Sequence, residues 1–319
     1  MTKFNLLYIF FAIIVFSSCE DAFNQVVEID IPKHESKLVS YCLLDELQDT
    51  FHMDIYNSIG ILEDNYDKID NASINVTVDG NTFSPFVYDS TYYFSSFGGH
   101  WDPVKMEWVN DSLTGGAYWS PKFDLKNDKI DIEISKSGYK TIASSATIPP
   151  KPAILNVEYS ETSDSIDIVT GNIIVEFDNI QSGFYYLVAI MKNSNNSTNH
   201  QFNRYNSLDI MAKDPNYHLK YLYSNLDIPS QYLTFDGQNF DTHFKASFGF
   251  NDWTISNEDD KFFIQIIAVS EDVYNFLNAI AIYSDAVDNP FAEPVVIPSN
   301  FDNGYGIFGV TRTTKVQFK

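Results

Sequence analysis

Apolar side chains in this chain recur at every second residue, in runs too short for helices and closed by turn residues. The first set is Leu38 to Leu44, Phe51 to Tyr56, Ser73 to Val78, Thr82 to Tyr88, Lys129 to Ile134 and Tyr139 to Ile148. Side chains alternate between the two faces of a strand, so this period fits half-buried strands and gives no apolar stripe for a helix. Asp79-Gly80-Asn81 lies between two runs and reads as a hairpin turn, because Asp-Gly tolerates positive φ. A second set follows at Ile154 to Tyr159, Ile173 to Phe177, Phe184 to Met191, Thr242 to Phe250, Lys261 to Ser270 and Gly306 to Thr311. Within it, Gly183 to Ile190 and Phe262 to Val269 are apolar almost throughout, as central strands covered on both faces are. Aromatic residues make up 16% of the chain, which favours the same class.

Two features organise these strands. Pro149-Pro150-Lys151-Pro152 lacks three backbone donors and can continue neither sheet nor helix, so it divides the chain. Ser270 to Tyr283 carries a serine cap, acids in its first turn and apolar residues at 273, 276, 277 and 280, a spacing that predicts a helix over 271–283. The expected fold is mainly β, with two immunoglobulin/fibronectin-like β-sandwich domains in tandem at 36–150 and 151–319. The second carries the helix and long insertions at Asn193 to Asn199 and Lys213 to Asp241, where recognition tends to sit on a rigid scaffold.

The N-terminus sets an address. Lys3 is followed by an apolar run from Leu6 to Phe16 and then by Ser17-Ser18-Cys19. This is the order of a lipoprotein signal peptide, residues 1–18, with Cys19 as the lipidated residue and 19–35 as an acidic tether. Acyl chains stabilise membrane attachment by ~0.8 kcal/mol per buried CH₂, so Cys19 suffices as an anchor. Glu20-Asp21 directly after the cysteine resemble a surface-export signal, so the expected location is the outer membrane with the folded part facing the exterior. Forty-three Asp plus Glu against 20 Lys plus Arg give a net charge of −23, which repels polyphosphate, and no nucleic-acid partner is expected. Cys42, the single thiol left after Cys19, sits in an apolar run and reads as a small core residue.

Catalytic signatures are missing. No Gly-x-Ser-x-Gly, phosphate-cradling glycine loop or His-Glu-x-x-His run occurs, and the six histidines are scattered, so the chain reads as a non-enzyme with no cofactor. The acidic run Glu63 to Asn71 offers Asp64, Asp67 and Asp70 as hard oxygen ligands for Ca²⁺. It lacks the spacing of an EF-hand and reads more simply as a solvated loop. The segment from Tyr92 to Trp119 concentrates aromatic residues and holds three of the four tryptophans. Trp101, Trp108, Tyr118 and Trp119 are its candidates for ligand or partner contact, since large rigid rings bury area at low entropy cost. The competing reading is that the rings pack a long hairpin against the sandwich.

The order of parts resembles the envelope lipoprotein family catalogued as domain of unknown function 4249: a lipoprotein cysteine, an acidic tether, a first sandwich closed by Thr147-Ile148-Pro149-Pro150, and a second with a Ser-Glu-Asp-Val-Tyr-Asn-Phe-Leu helix. The most specific element is the run Asn289-Pro290-Phe291, Pro298-Ser299-Asn300 and Asn303-Gly304-Tyr305-Gly306-Ile307-Phe308-Gly309. The resemblance implies an accessory role beside a TonB-dependent outer-membrane receptor in nutrient uptake, as lid or ligand-binding partner, and brings no catalytic residues. The alternative is a free-standing surface adhesin or carbohydrate-binding module. In the closing run, Asn289, Pro290, Phe291, Gly304, Gly306, Phe308 and Gly309 read as a structural clasp, the glycines allowing positive φ or close backbone approach and Tyr305, Ile307 and Phe308 filling the core behind them.

Overall fold

The alternation becomes strands whose inward positions form three apolar layers. The computed structural model describes residues 33–60, 67–90, 93–94, 99–102, 107–110, 113–114, 116–125, 129–162, 169–193, 206–212, 214–221, 226, 228–252, 260–286 and 293–319. Signal segment 1–18, Cys19, most of the tether, Asp64, Asn289, Pro290 and Phe291 lie outside the described residues, as do the side chains of Trp101 and Trp108.

Residues Ser36–Lys319 form one compact unit built on a ten-stranded sheet. Its order runs from His218–Tyr221 through Gln231–Asp236, Tyr185–Asn193, Lys261–Val269, Tyr305–Gln317, Leu38–Asp45, Thr50–Asn57 and Ala117–Pro121 to Val87–Asp89, with Asn206–Ser207 added beside Tyr185–Asn193. One face of this long sheet carries two four-stranded sheets. The first joins Ile142–Thr147, Lys129–Ser135, Ser73–Val78 and Asn81–Phe83, and the second joins Ala153–Glu161, Val169–Asp178, Phe244–Asp252 and Asp209–Ala212. Under the first sheet, Leu38, Cys42, Leu44, Phe51, Met53 and Phe308 pack on Ile74, Val76, Ile130 and Ile132. Under the second, Tyr186, Val188, Ile190, Phe262 and Ile264 pack on Ile173, Val175, Phe248 and Phe250. The opposite face buries Leu43, Leu187, Ile267 and Ile307 under Val273, Phe276 and Leu277 of the helix Glu271–Ala286. Odd and even positions of one strand thus enter different cores, as period-two alternation requires.

The halves expected as sandwiches at 36–150 and 151–319 adjoin within this arrangement. Each half has its own core, but they share one sheet, because Tyr305–Gln317 runs parallel to Leu38–Asp45 and antiparallel to Lys261–Val269. The prolines at 149–152 connect halves of one unit and do not separate independent domains. Two smaller expectations also change. Gln231–Asp236, assigned to an insertion, is a buried strand of the long sheet. The run Thr82 to Tyr88 divides into Asn81–Phe83 and Val87–Asp89, which enter different sheets on either side of Pro85. The hairpin at Asp79-Gly80 is present, with φ of 53° and 73° at the two turn residues.

The closing strand needs its glycines. Gly306 has φ +112°, and a Cβ there would lie 1.9 Å from the Ser40 carbonyl oxygen. A Cβ on Gly304 would meet Ile142 at 2.5 Å, and one on Gly309 would meet Val273 of the helix at 2.3 Å. Asn300 then brackets buried Phe308: its Oδ1 accepts from the Phe308 amide at 3.0 Å and its Nδ2 donates to the Phe308 carbonyl at 2.7 Å. Past the glycines, polar groups tie the halves together. Thr311 and Thr313 donate to the buried Asp45 carboxylate, the first at 2.6 Å. Glu46 pairs with both Lys151 of the connector and Arg312 of the closing strand.

Two outcomes follow for stability. Gly306→Ala combines a disfavoured φ with a backbone overlap and should cost more than ~3 kcal/mol in urea unfolding, whereas Gly80→Ala, with φ +73° and nothing within 4 Å, should cost about 1–2 kcal/mol. Burial alone would raise the Glu46 carboxyl, but Lys151 and Arg312 hold it below its ordinary value. A lowered folded-state pKa stabilises the fold above the unfolded value of about 4.3, and that contribution is lost as pH falls through the folded value. Glu46→Gln should therefore flatten the fall of stability on acidification below about pH 4.3, as read by urea titrations at successive pH values.

Candidate functional site

The helix covers only part of the outer face of the long sheet. Outward positions of the N-terminal half follow from the register: Val39 lies between Tyr56 and Tyr305, Tyr41 between Asp54 and Ile307, and Trp119 between His52 and Val87. Val87, Tyr305 and Tyr41 remain 56%, 43% and 36% exposed, while Tyr56 and Trp119 are half-buried. Tyr41 stands 5.9 Å from the Phe276 ring of the helix and 6.5 Å from Tyr56, so the aromatic surface starts at the helix edge and runs outward across the sheet. Charge is placed within it. Lys37 lies 4.9 Å over the Tyr305 ring, and Lys68 lies 5.5 Å over Tyr56 with its amine 3.4 Å from the Asp54 carboxylate. Lys68 also donates to the Gly116 carbonyl at 3.3 Å, which ties it to the approach of the Ala117–Pro121 strand.

At the far edge of this surface the chain extends as a hairpin. Val87–Asp89 pairs with Ala117–Pro121, then Tyr93–Phe94 with Leu113–Thr114, then Gly99–Asp102 with Glu107–Asn110. Trp101 and Trp108 are direct cross-strand partners in the last pair. The described strand pairs follow one another in hairpin order from the edge of the long sheet. Rings of this kind present rigid area for burial, and Lys37, Lys68 and Asp54 stand beside those of the open face.

The four aromatic candidates separate. Trp119 belongs to the open face. Trp101 and Trp108 share one rung of the arm. Tyr118 does not join them and is a core residue, only 2% exposed, because its place in the alternation turns it inward beside Met53 and Tyr88. Its hydroxyl accepts from the Ala72 amide at 2.7 Å and donates to the Ile69 carbonyl at 3.0 Å, which leaves nothing for a partner. Of the Ca²⁺ candidates, Asp70 pairs with Lys136 at 3.1 Å, and Asp67 meets Asn57 through its backbone. Among the described residues no group of three or more His, Cys, Asp or Glu side chains is placed to hold a metal ion. Burial, with help from Asp54, pushes the Cys42 thiol far up, so it is held as an unreactive thiol within the first core.

Tyr41, Tyr56 and Val87 carry no motif signal in the sequence, and Tyr305, expected to fill the core behind the closing glycines, instead turns outward. Tyr41 and Tyr305 sit inside runs that are otherwise buried, and their exposure depends on which strand lies beside which. The signal present in the sequence is phase: Tyr41 is out of step with Leu38, Cys42 and Leu44, and Tyr305 with Phe308 and Val310. Tyr118→Phe should lose about 1–3 kcal/mol in denaturant unfolding, since the Ala72 amide and Ile69 carbonyl lose their buried partner.

The family model described as domain of unknown function (DUF4249) matches residues 24–317. No curated protein matches the chain.

Proposed function

The chain belongs to the domain of unknown function 4249 family, and on that premise we propose that it is a non-catalytic, lipid-anchored outer-membrane protein that accompanies a TonB-dependent transporter. Cys19 is the anchor, the folded unit faces the exterior, and the open aromatic face with its hairpin arm contacts the transporter or its ligand as a lid or binding partner in nutrient uptake. The observation that carries this reading is the uncovered face formed by Tyr41, Tyr305, Val87 and Trp119. A sheet face that is otherwise roofed by a helix and left aromatic beyond it is suited to burial against another surface. The signal-like N-terminus supports the anchor, and the family resemblance supports the choice of partner.

A second reading is a free-standing adhesin or carbohydrate-binding module. It is favoured by one observation, the cross-strand pairing of Trp101 with Trp108, which would suit stacking on sugar rings.

Affinity capture of the native lipidated protein from detergent-solubilised outer membrane tests the proposal. A large β-barrel receptor should co-purify in stoichiometric amount, and Tyr41→Ser combined with Tyr305→Ser should reduce its recovery about tenfold or more while the fold is retained. Recovery of background proteins alone would overturn the transporter reading. Binding of the intact protein to a glycan array, abolished by Trp101→Ala, would then support the second.

A further inference from the structure

The C-terminal half buries a lysine between two aspartates, and this triad lies away from the open face. Lys192 is on the strand Tyr185–Asn193, Asp252 ends the strand Phe244–Asp252, and Asp260 immediately precedes Lys261–Val269. The Lys192 amine is 2.8 Å from Asp252 Oδ2 and 2.9 Å from Asp260 Oδ2. The three side chains are 3%, 0% and 2% exposed, in that order. The triad spans two layers, since Lys192 belongs to the long sheet and Asp252 to the four-stranded sheet packed on it. Its surroundings are aromatic: the amine lies 5.9 Å from the Phe262 ring, which packs in turn with Phe250 and Phe318.

As ions, these groups place three charges in the core, and removing charges from water costs several kcal/mol per ion even after relaxation. The Lys192–Asp252 pair has an uncharged alternative. Moving one proton from the ammonium to Asp252 gives an amine beside a carboxylic acid, with Asp260 still ionised and no proton taken from solvent. Burial by itself favours that amine. The hydrogen bonds to Asp252 and Asp260 outweigh burial and hold the resting lysine protonated, above its ordinary value. The reactive form is thus a minor tautomer, sufficient for a reaction that each chain performs once. Fixed contact between the amine and the carboxyl group replaces a bimolecular encounter, and effective molarities for well-oriented groups reach about 10⁵–10⁸ M.

We propose that Lys192 and Asp252 form an intramolecular isopeptide bond, with Asp260 as the acid–base group that carries the protons. The Lys192 nitrogen attacks the Asp252 carboxyl carbon, and Asp260 accepts a proton from the attacking nitrogen. Asp260 returns that proton to the departing hydroxyl, the C–O bond breaks and one water leaves. No oxidant or external reactant is consumed. The product is a neutral amide that ties the long sheet covalently to the sheet above it, and Asp260 remains to accept a hydrogen bond from the new N–H.

Protease digestion of the purified mature protein, followed by tandem mass spectrometry, reads the outcome without a variant. The expected result is a branched peptide joining the Lys192 and Asp252 segments, lighter than the sum of its parts by one water. In Asp260→Asn the branched peptide should fall at least about tenfold, with circular dichroism showing a retained fold. Recovery of separate peptides with a free Lys192 amine and a free Asp252 carboxyl from the wild-type protein would overturn the proposal. A branch at Asp260, or an undiminished branch in Asp260→Asn, would overturn the roles assigned to the two carboxylates.

Discussion

The fold depends on the seating of one strand, Tyr305–Gln317, between Leu38–Asp45 and Lys261–Val269. A strand in that position needs backbone contact on both edges and a different core on each face. Gly306 is held with its Cα against the Ser40 carbonyl, Gly309 admits the helix, and Phe308 fills the first core while Ile307 fills the layer under the helix. Because the partner strands come from opposite ends of the sequence, the first half cannot complete its sheet until the last residues arrive. The contacts around Asp45 and Glu46 then fix the connector and the closing strand to the first turn of the chain.

That continuity decides which outer positions the helix leaves exposed. With two four-stranded sheets on one side and a single helix on the other, the long sheet has more outer face than the helix covers. The surplus lies over the N-terminal half, where outward positions are Tyr41, Tyr56, Tyr305, Trp119 and Val87. The hairpin pairing starts from the same edge, where Val87–Asp89 meets Ala117–Pro121. Core and outward residues therefore alternate along the same strands: Tyr118 is sealed in the core, and its neighbour Trp119 is turned outward.

Much of this was legible from alternation alone. The apolar runs correspond to strands, and the Ser270 cap with its apolar spacing identifies the helix, which ends at Ala286 and so runs three residues beyond the expected stop. Asp79-Gly80 marks its turn. The union of the halves was not legible, because strand pairing across hundreds of residues leaves no local trace, and the proline run at 149–152 carries the same signal whether it separates domains or links halves of one. Gln231–Asp236 was lost among polar neighbours although Leu233 and Phe235 alternate with Tyr232 and Thr234. The site was legible in composition more than in position. The aromatic segment stood out, yet Tyr118 was grouped with the exposed candidates, since one residue's shift in phase separates core from surface.

Site-specific photo-crosslinking in intact cells tests the central claim most directly. A photoreactive phenylalanine analogue at Tyr305 or Val87, on the open face, should form an adduct with one envelope β-barrel protein. The same analogue at Ser247, on the exposed side of the second four-stranded sheet, should form none. Equal adducts from all three positions, or none from the first two, would contradict the account.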